Sequence, residues 1–491
     1  MGVAPVRHGR QLAAGTSLVF LAEALILPTG FVTAVFLTRR LGPTDYGQFV
    51  LAATVVGWIE ISISSMLSRA TVRCVAEAED WRAVAVTAVR LYLAAGAAAT
   101  LLLLLFAGQI AALLDEPELG SHLRLFAVSI LLISLASGHQ SIMVGLGRFP
   151  QRAFAGGSRW LARLGLMVLL IELGLSVSGA ILASVGAAAV ELAVSRWFVR
   201  PPLWGPSSFP ARRLWGVAAP LSVLALSLRL FDRLDLIALK TLGATAAEAG
   251  AYGAALNLTI LPGLVGAAFS PLLLSTLSRM LRGGDDAGAR ELAGHAMRAV
   301  FLVLPVAGMI SGAAAGIVAW VFGPDYRAAG ASLAVLIFGA FAMLLLSAAV
   351  TILIAGGKTG WAVRVVAPMS LVALAGHALV IPRFGATGAA AVGTTVAVGA
   401  ALAATVAVGR SWGIRPPAAT VWRSAVVCAL TFALAWLLPG DGALLVPKLG
   451  AIGLVGGVAF WLMGELNRAE LASLRAALGG WSRGGRRPRA V

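Results

Sequence analysis

Four charged residues crowd into one short stretch of an otherwise apolar segment, Leu228-Arg229-Leu230-Phe231-Asp232-Arg233-Leu234-Asp235. On a helix, with about 100° between successive residues, Arg229, Asp232, Arg233 and Asp235 share one side, and Leu230, Phe231, Leu234 and Ile237 take the other. A charge at the centre of a bilayer costs about 2.5–3.5 kcal/mol, so the charged side must face other helices or water. Arg229 and Asp232 stand about one turn apart and can pair, whereas Asp232 and Asp235 repel unless a cation or a proton intervenes. The chemistry on offer is therefore a guanidinium that binds phosphate or carboxylate and carboxylates that take up a cation or proton. The alternative is mutual neutralisation in a packing staple, with Arg233 and Asp235 snorkelling to the outer surface. Counted from Leu214 at about 1.5 Å per residue, Arg233 lies about 28 Å along the segment and Arg229 about 22 Å, so Arg229 is the deeper and reads as lining a cavity.

Other ionisable residues interrupt apolar runs singly. Glu23 lies mid-segment with Thr16 and Gly30 on its face and Pro28 just beyond. Glu60 stands beside Ser62 and Ser64, Glu191 falls mid-segment, and His377 lies in the outer third of another segment. For each, an interhelical hydrogen bond is the alternative to a binding role. No catalytic constellation accompanies them. Gly356-Gly357-Lys358-Thr359 imitates the end of a nucleotide-binding loop but lacks its first glycine. Cys74 and Cys428 have no metal-ligand spacing, and both fall near segment ends expected on the cytoplasmic side, where a disulfide is not expected. The reading is of a protein that is not an enzyme, with no cofactor, no metal and no nucleic-acid partner.

The elements that must position these residues follow from composition. The chain has 491 residues, 59% hydrophobic and 12% charged, with a mean hydropathy of +0.91. Soluble domains carry about 25% charged residues, so an ordinary water-soluble enzyme is excluded. Apolar stretches long enough to cross a bilayer fall at 12–37, 48–67, 84–107, 123–145, 157–176, 179–199, 214–241, 250–277, 295–322, 330–355, 361–381, 385–409, 420–438 and 444–464. The expected fold is thus all-α, a polytopic membrane protein of about fourteen spans. Between spans 5 and 6 the divider is only Ser176-Val177-Ser178-Gly179. The first stretch exceeds the roughly 7–15 residues of a signal-peptide core and is read as a retained span. The formal net charge is +17. With both termini inside, the basic residues favour the inner segments and adjoining helix ends by about four to one, Arg152, Arg159 and Arg163 being counted there. That bias is expected to put both termini on the cytoplasmic side.

The longest inner connection carries Pro201, Pro202, Pro206 and Pro210 and reads as a linker. The expected divisions are residues 1–205 (spans 1–6), 206–410 (spans 7–12), 411–466 (two further spans) and a basic cytoplasmic tail, 467–491, lying against anionic lipid. A weak internal repeat straddles the linker. Leu37-Thr-Arg-Arg-Leu-Gly42 with Tyr46-Gly47 is echoed by Leu239-Lys-Thr-Leu-Gly243 with Tyr252-Gly253. The copies cross in the same direction, a parallel repeat about an axis along the membrane normal. Gly312–Gly316 and Gly453–Gly457 match the close-packing GxxxG spacing and are read as packing within one bundle.

Several stretches, in this order, resemble the polysaccharide transport family, the oligosaccharide flippases of the multidrug/oligosaccharidyl-lipid/polysaccharide exporter superfamily. They are Arg40-Leu-Gly-Pro-Thr-Asp-Tyr-Gly47, Gly145-Leu-Gly-Arg-Phe149, Asp232-Arg233 with Gly250-Ala-Tyr252, Phe322-Gly-Pro-Asp-Tyr326 and Ile381-Pro-Arg-Phe-Gly-Ala-Thr-Gly-Ala-Ala-Ala391. The resemblance implies two pseudo-symmetric six-helix lobes around a central cavity plus two C-terminal helices. It implies translocation of a polyprenyl-(pyro)phosphate-linked oligosaccharide for surface polysaccharide, including lipopolysaccharide, biosynthesis. The cavity would then hold Arg229, Asp232, Arg233, Asp235, Glu23, Glu60, Glu191 and His377, and the partners would be the lipid-linked glycan, membrane lipids and other polysaccharide-assembly proteins. A cation-coupled multidrug exporter and a lipid II flippase of the same superfamily are the rival readings. A membrane polysaccharide polymerase or ligase would need a larger outer loop than any here.

Overall fold

The computed structural model describes residues 5–201, 209–212, 214–215, 234–440 and 442–465, without side chains at 5–27, 261, 264–265 and 267–268. Among them there is no strand. The helices are α1 (Pro5–Glu77), α2 (Trp81–Leu113), α3 (Leu119–Gly145), α4 (Phe149–Glu172), α5 (Ser176–Phe198), α6 (Leu234–Thr241), α7 (Ala246–Arg282), α8 (Asp286–Gly312), α9 (Ala314–Phe322), α10 (Gly330–Ala355), α11 (Thr359–Val366), α12 (Met369–Trp412), α13 (Ala418–Leu437) and α14 (Leu445–Leu462). Most of span 7, with Arg229, Asp232 and Arg233, lies outside the described residues, as do most of the proline-rich linker and the basic tail. The backbone of Glu23 is helical, and its side chain is not among those described.

Among the described residues, ten stretches are long and apolar enough to cross a membrane. Two of them, 50 and 54 residues long, exceed the length of one crossing. α1 breaks at Gly42 (φ 75°), just before Pro43. α12 breaks at Gly385 (φ 53°), three residues after Pro382. Both conformations suit glycine, and each proline removes a helical hydrogen-bond donor beside the break. Spans 5 and 6 do separate, but at Leu173–Leu175, with Gly174 at φ 85°, ahead of the expected Ser176–Gly179 turn.

The chain divides into two compact units. Unit 1 holds Met1–Leu258, Val321–Ser332 and Val366–Val396, and unit 2 holds the remainder. In unit 1, hydroxyls tie the second half of α1 to α3. Glu60 accepts from Ser129 (2.7 Å), Ser64 donates to Ser137 (2.6 Å) and Ser141 donates to Ser68 (3.0 Å). Many other hydroxyls bond the carbonyl one turn back on their own helix, among them Thr33, Thr54, Thr71 and Ser184. In lipid no water can serve these groups, so the protein must.

In unit 2, α13 lies against α8 at glycine. A Cβ at Gly308 would meet the Cys428 carbonyl, and one at Gly312 the Phe432 carbonyl. Gly312 therefore works as intramolecular packing, whereas Gly453 and Gly457 have no such neighbour within 4 Å. Both cysteines are buried and outside any disulfide. Cys428 sits mid-α13 beneath Gly308 rather than near a helix end. Past the end of α14, the buried Glu465 carboxylate collects Arg298 (2.9 Å), Arg423 (2.9 Å) and Thr420 (2.5 Å), joining three helices. Burial pushes this carboxyl up. Hydrogen bonds from Thr420, Arg423 and Arg298 outweigh that and hold it below its ordinary value. Its stabilisation is complete above the usual carboxylate pKa of about 4.3 and lost as pH falls through the lowered folded-state value. Glu465→Ala is expected to cost about 3 kcal/mol, the low end for breaking a buried pair, because both arginines keep some exposure. Thermal unfolding of purified protein at neutral pH measures this, and the difference from wild type should vanish at pH below the carboxyl's folded-state value.

Candidate functional site: an arginine stripe beside buried carboxylates

α4 presents two chemically opposite sides. Phe154, Leu161, Val168 and Leu169 are exposed, as suits a lipid-facing surface. Arg152, Arg159 and Arg163 lie about 160–180° away from Leu161, on the other side. Because α4 begins at Phe149, Arg159 and Arg163 stand about 15 and 21 Å along it. The sequence reading counts them with the inner segments and adjoining helix ends; the helix begins eight residues ahead of the apolar stretch expected from residue 157, which sets both arginines well inside it.

Facing this stripe are carboxylates from two other helices. Glu191 of α5 is buried. Its Oε2 lies 3.3 Å from Arg159 Nη1, and its Oε1 accepts from Gln140 Nε2 at 2.6 Å. Arg163 is close enough to Glu60 and Tyr46 to interact with both electrostatically, and its buried Nε has no hydrogen-bond partner. Trp160 lies between the guanidinium groups, 6.0 Å from that of Arg159 and 5.6 Å from that of Arg163. A Cβ at Gly30 of α1 would sit 3.9 Å from its ring. A quarter of the Arg159 side chain remains exposed. The stripe therefore borders open space, with cations available to an anionic group.

Asp235 and His377 form a second cluster in unit 1. Tyr252 donates to Asp235 Oδ2 at 2.5 Å, and Leu236 N–H donates to Oδ1 at 2.8 Å. His377 is 2% exposed, its Nδ1 has no hydrogen-bond partner, and it feels Asp235 electrostatically. Of the expected site residues, the structure thus joins Glu60 with Glu191 and Asp235 with His377, in separate clusters. Arg159, Arg163, Gln140, Ser129 and Tyr252 escaped the sequence reading. The i, i+4 pair Arg159/Arg163, seven residues on from Arg152 and opposite Leu161, was the signal available for the first two.

The turns read as outer converge within unit 1. Lys240, 4% exposed, pairs with Glu116 at 3.0 Å. Gln48 donates to Glu118 (3.0 Å), Ser176 to Asp45 (2.7 Å) and Asn257 to the Tyr46 hydroxyl (2.8 Å). Tyr46 also packs edge-on against Tyr326, with ring centroids 6.2 Å apart. α1 and α7 cross here in close backbone contact at glycine. A Cβ at Gly47 would overlap the Ala246 carbonyl, one at Gly250 the Pro43 carbonyl, and one at Gly253 would press on Val50. Pro43 with Ala246, Gly47 with Gly250 and Val50 with Gly253 have the same separation in sequence, so the contact is symmetric about Gly47–Gly250. That register lies three residues from the one given by matching Tyr46-Gly47 to Tyr252-Gly253.

The sequence pattern described as polysaccharide biosynthesis protein matches residues 12–279, more than half of the chain. The chain belongs to that polysaccharide biosynthesis family. No curated protein is significantly similar to it in sequence. Among solved structures, the lipid II flippase MurJ in an inward closed conformation superposes with a TM-score of 0.75. The match covers 91% of this chain and 98% of that one at 13% identity. An inward-facing multidrug resistance MATE family transporter of the MOP superfamily gives 0.60 over 84% and 95% at 15% identity. A point mutant of the Vibrio cholerae MATE transporter VcmN gives 0.53 over 81% and 98% at 16% identity. This family member is accordingly a multi-pass membrane protein with the fold of the lipid II flippase MurJ and of MATE family transporters.

Proposed function

We propose that the protein translocates a polyprenyl-(pyro)phosphate-linked oligosaccharide across the bacterial inner membrane for surface polysaccharide synthesis, its lobes (1–205 and 206–410) alternating access. The observation that supports this reading is the arginine stripe of α4, on the side opposite its exposed apolar residues, with Arg159 and Arg163 about three to four turns inside the helix and Arg159 partly open. Guanidinium groups there suit the phosphate oxygens of a head group whose lipid tail stays in the bilayer. The family match and the flippase fold support it. The symmetric crossing of α1 and α7 is the closure expected at the outer side of an alternating-access carrier. In this reading both termini are cytoplasmic, and residues 411–466 and 467–491 are accessory spans and tail. In this reading Arg229, Asp232, Arg233 and Glu23 are further candidates for binding the head group or a cation, and other polysaccharide-assembly proteins are its partners. Lipid II carries the same pyrophosphate, so a lipid II flippase fits the stripe equally.

Proteoliposomes test the reading. Fluorescent polyprenyl-pyrophosphoryl oligosaccharide should move between leaflets at least tenfold faster with the protein than without it, and the same glycan on a neutral lipid should not. Lipid II in a parallel arm decides between the two cargoes. Equal movement of the neutral glycolipid would overturn the head-group reading.

A further inference from the structure

Glu191 is poorly provided for once its cation is engaged elsewhere. It is 6% exposed, and its Oε2 is buried and takes no hydrogen bond, facing Arg159 Nη1 across 3.3 Å. Its Oε1 is held by Gln140 from α3. The groups near it are few. α4 supplies Arg159 and, farther off, Arg152. α1 supplies Glu60, a like charge that interacts with Glu191, is bonded to Ser129 and shares Arg159 with it but has Arg163 besides. On α3, His139 is turned to the Leu135 carbonyl and Arg196. Arg163 faces Glu60 rather than Glu191.

Two anions cannot both have Arg159. When a phosphate oxygen takes the guanidinium, a buried carboxylate is left facing another carboxylate, and ionised groups in that position cost several kcal/mol unless they are neutralised. A carboxyl at Oε2 removes the charge, and the Gln140 bond to Oε1 is unaffected. From this we infer that head-group binding at Arg159 is coupled to uptake of one proton by Glu191. Arg159 Nη1 exchanges Oε2 for a phosphate oxygen, and water on the open side of the stripe supplies the proton that Oε2 receives. Release of the head group reverses both steps. The inference rests on the head-group reading above and adds a proton to the bound state.

The test is binding of polyprenyl-pyrophosphoryl N-acetylglucosamine to the full-length protein in nanodiscs between pH 6 and 8. The diester pyrophosphate has no group that titrates in this range, unlike a phosphate monoester, whose second pKa is about 6. One linked proton makes affinity fall by up to about tenfold per pH unit as pH rises. Glu191→Gln, already neutral, should bind with the low-pH affinity of the wild type at every pH. A dye in weakly buffered wild-type samples should also report about one proton taken up per lipid bound, which needs no variant. Affinity independent of pH in the wild type, a slope that persists in Glu191→Gln, or no proton uptake would each overturn the linkage while leaving the head-group reading standing. Absence of saturable binding at any pH would instead remove the head-group reading itself.

Discussion

Gly250→Ala is expected to slow transport about five- to hundredfold with little loss of protein. The added methyl meets the Pro43 carbonyl oxygen and stands 2.8–2.9 Å from the backbone of Gly47. Neither is a flexible side chain that can turn aside. Overpacking of this kind costs about 1–3 kcal/mol, and at about 1.4 kcal/mol per factor of ten the closed arrangement loses that much population to open ones. Gly47→Ala should behave alike, since its methyl meets the Ala246 carbonyl. Gly57, on the same helix, has no such neighbour within 4 Å, so Gly57→Ala should be silent. A cysteine at Ala254, which is fully buried on α7, reports the state. It should be protected in the wild type and labelled from outside in Gly250→Ala. Unchanged flipping together with unchanged labelling would show that this crossing does not open during transport.

The second large effect concerns Arg159. Arg159→Ala is expected to bring transport to background and to lower membrane abundance, because Glu191 then lies buried without its ion-pair partner, at about 3–5 kcal/mol. Arg159→Ala combined with Glu191→Ala should restore abundance and leave transport at background. Arg163→Ala offers a cleaner separation. Its Nε makes no hydrogen bond, and Glu60, which it faces, keeps Arg159 nearby and its bond from Ser129, so its loss should lower abundance less than Arg159→Ala does while still lowering transport. Quantifying protein in membranes beside leaflet-to-leaflet movement of the pyrophosphoryl glycan reads all three. If the double variant regained transport, Arg159 and Glu191 would be a packing pair and not a binding site.

Much of the fold was legible because the bilayer imposes a length on apolar stretches, and every expected span with described residues is helical. The breaks were legible too. Four stretches that carry the family resemblance hold Gly42, Gly147, Gly323 and Gly385, all at positive φ. They record how the chain turns between crossings, which is why they identify a fold and say little about cargo. The site was harder to read. Arg159 and Arg163 read as basic residues near an inner helix end, because the start of α4 at Phe149, which sets them about three to four turns into the helix, precedes the apolar stretch. Glu60 and Glu191 stood out as charges in apolar runs, but their closeness depends on how α1, α3, α4 and α5 pack. Tyr252 was noticed as a repeat signature, and its hydroxyl on Asp235 follows only from the approach of α6 to α7.

The hydroxyls that bond back to their own helices bear on how the chain enters the bilayer during synthesis. A helix whose Thr33, Thr54 or Ser184 is already satisfied one turn behind can leave the insertion machinery alone, since its polarity is settled before any neighbour arrives. The helices of the arginine stripe lack that independence. Arg163 finds Glu60 already made on α1, but Arg159 emerges on α4 before α5 has delivered Glu191, so α4 has to wait beside the earlier helices until that counter-charge is made. Assembly of this region is consequently a matter of retention, in which the order of synthesis decides which charges have company.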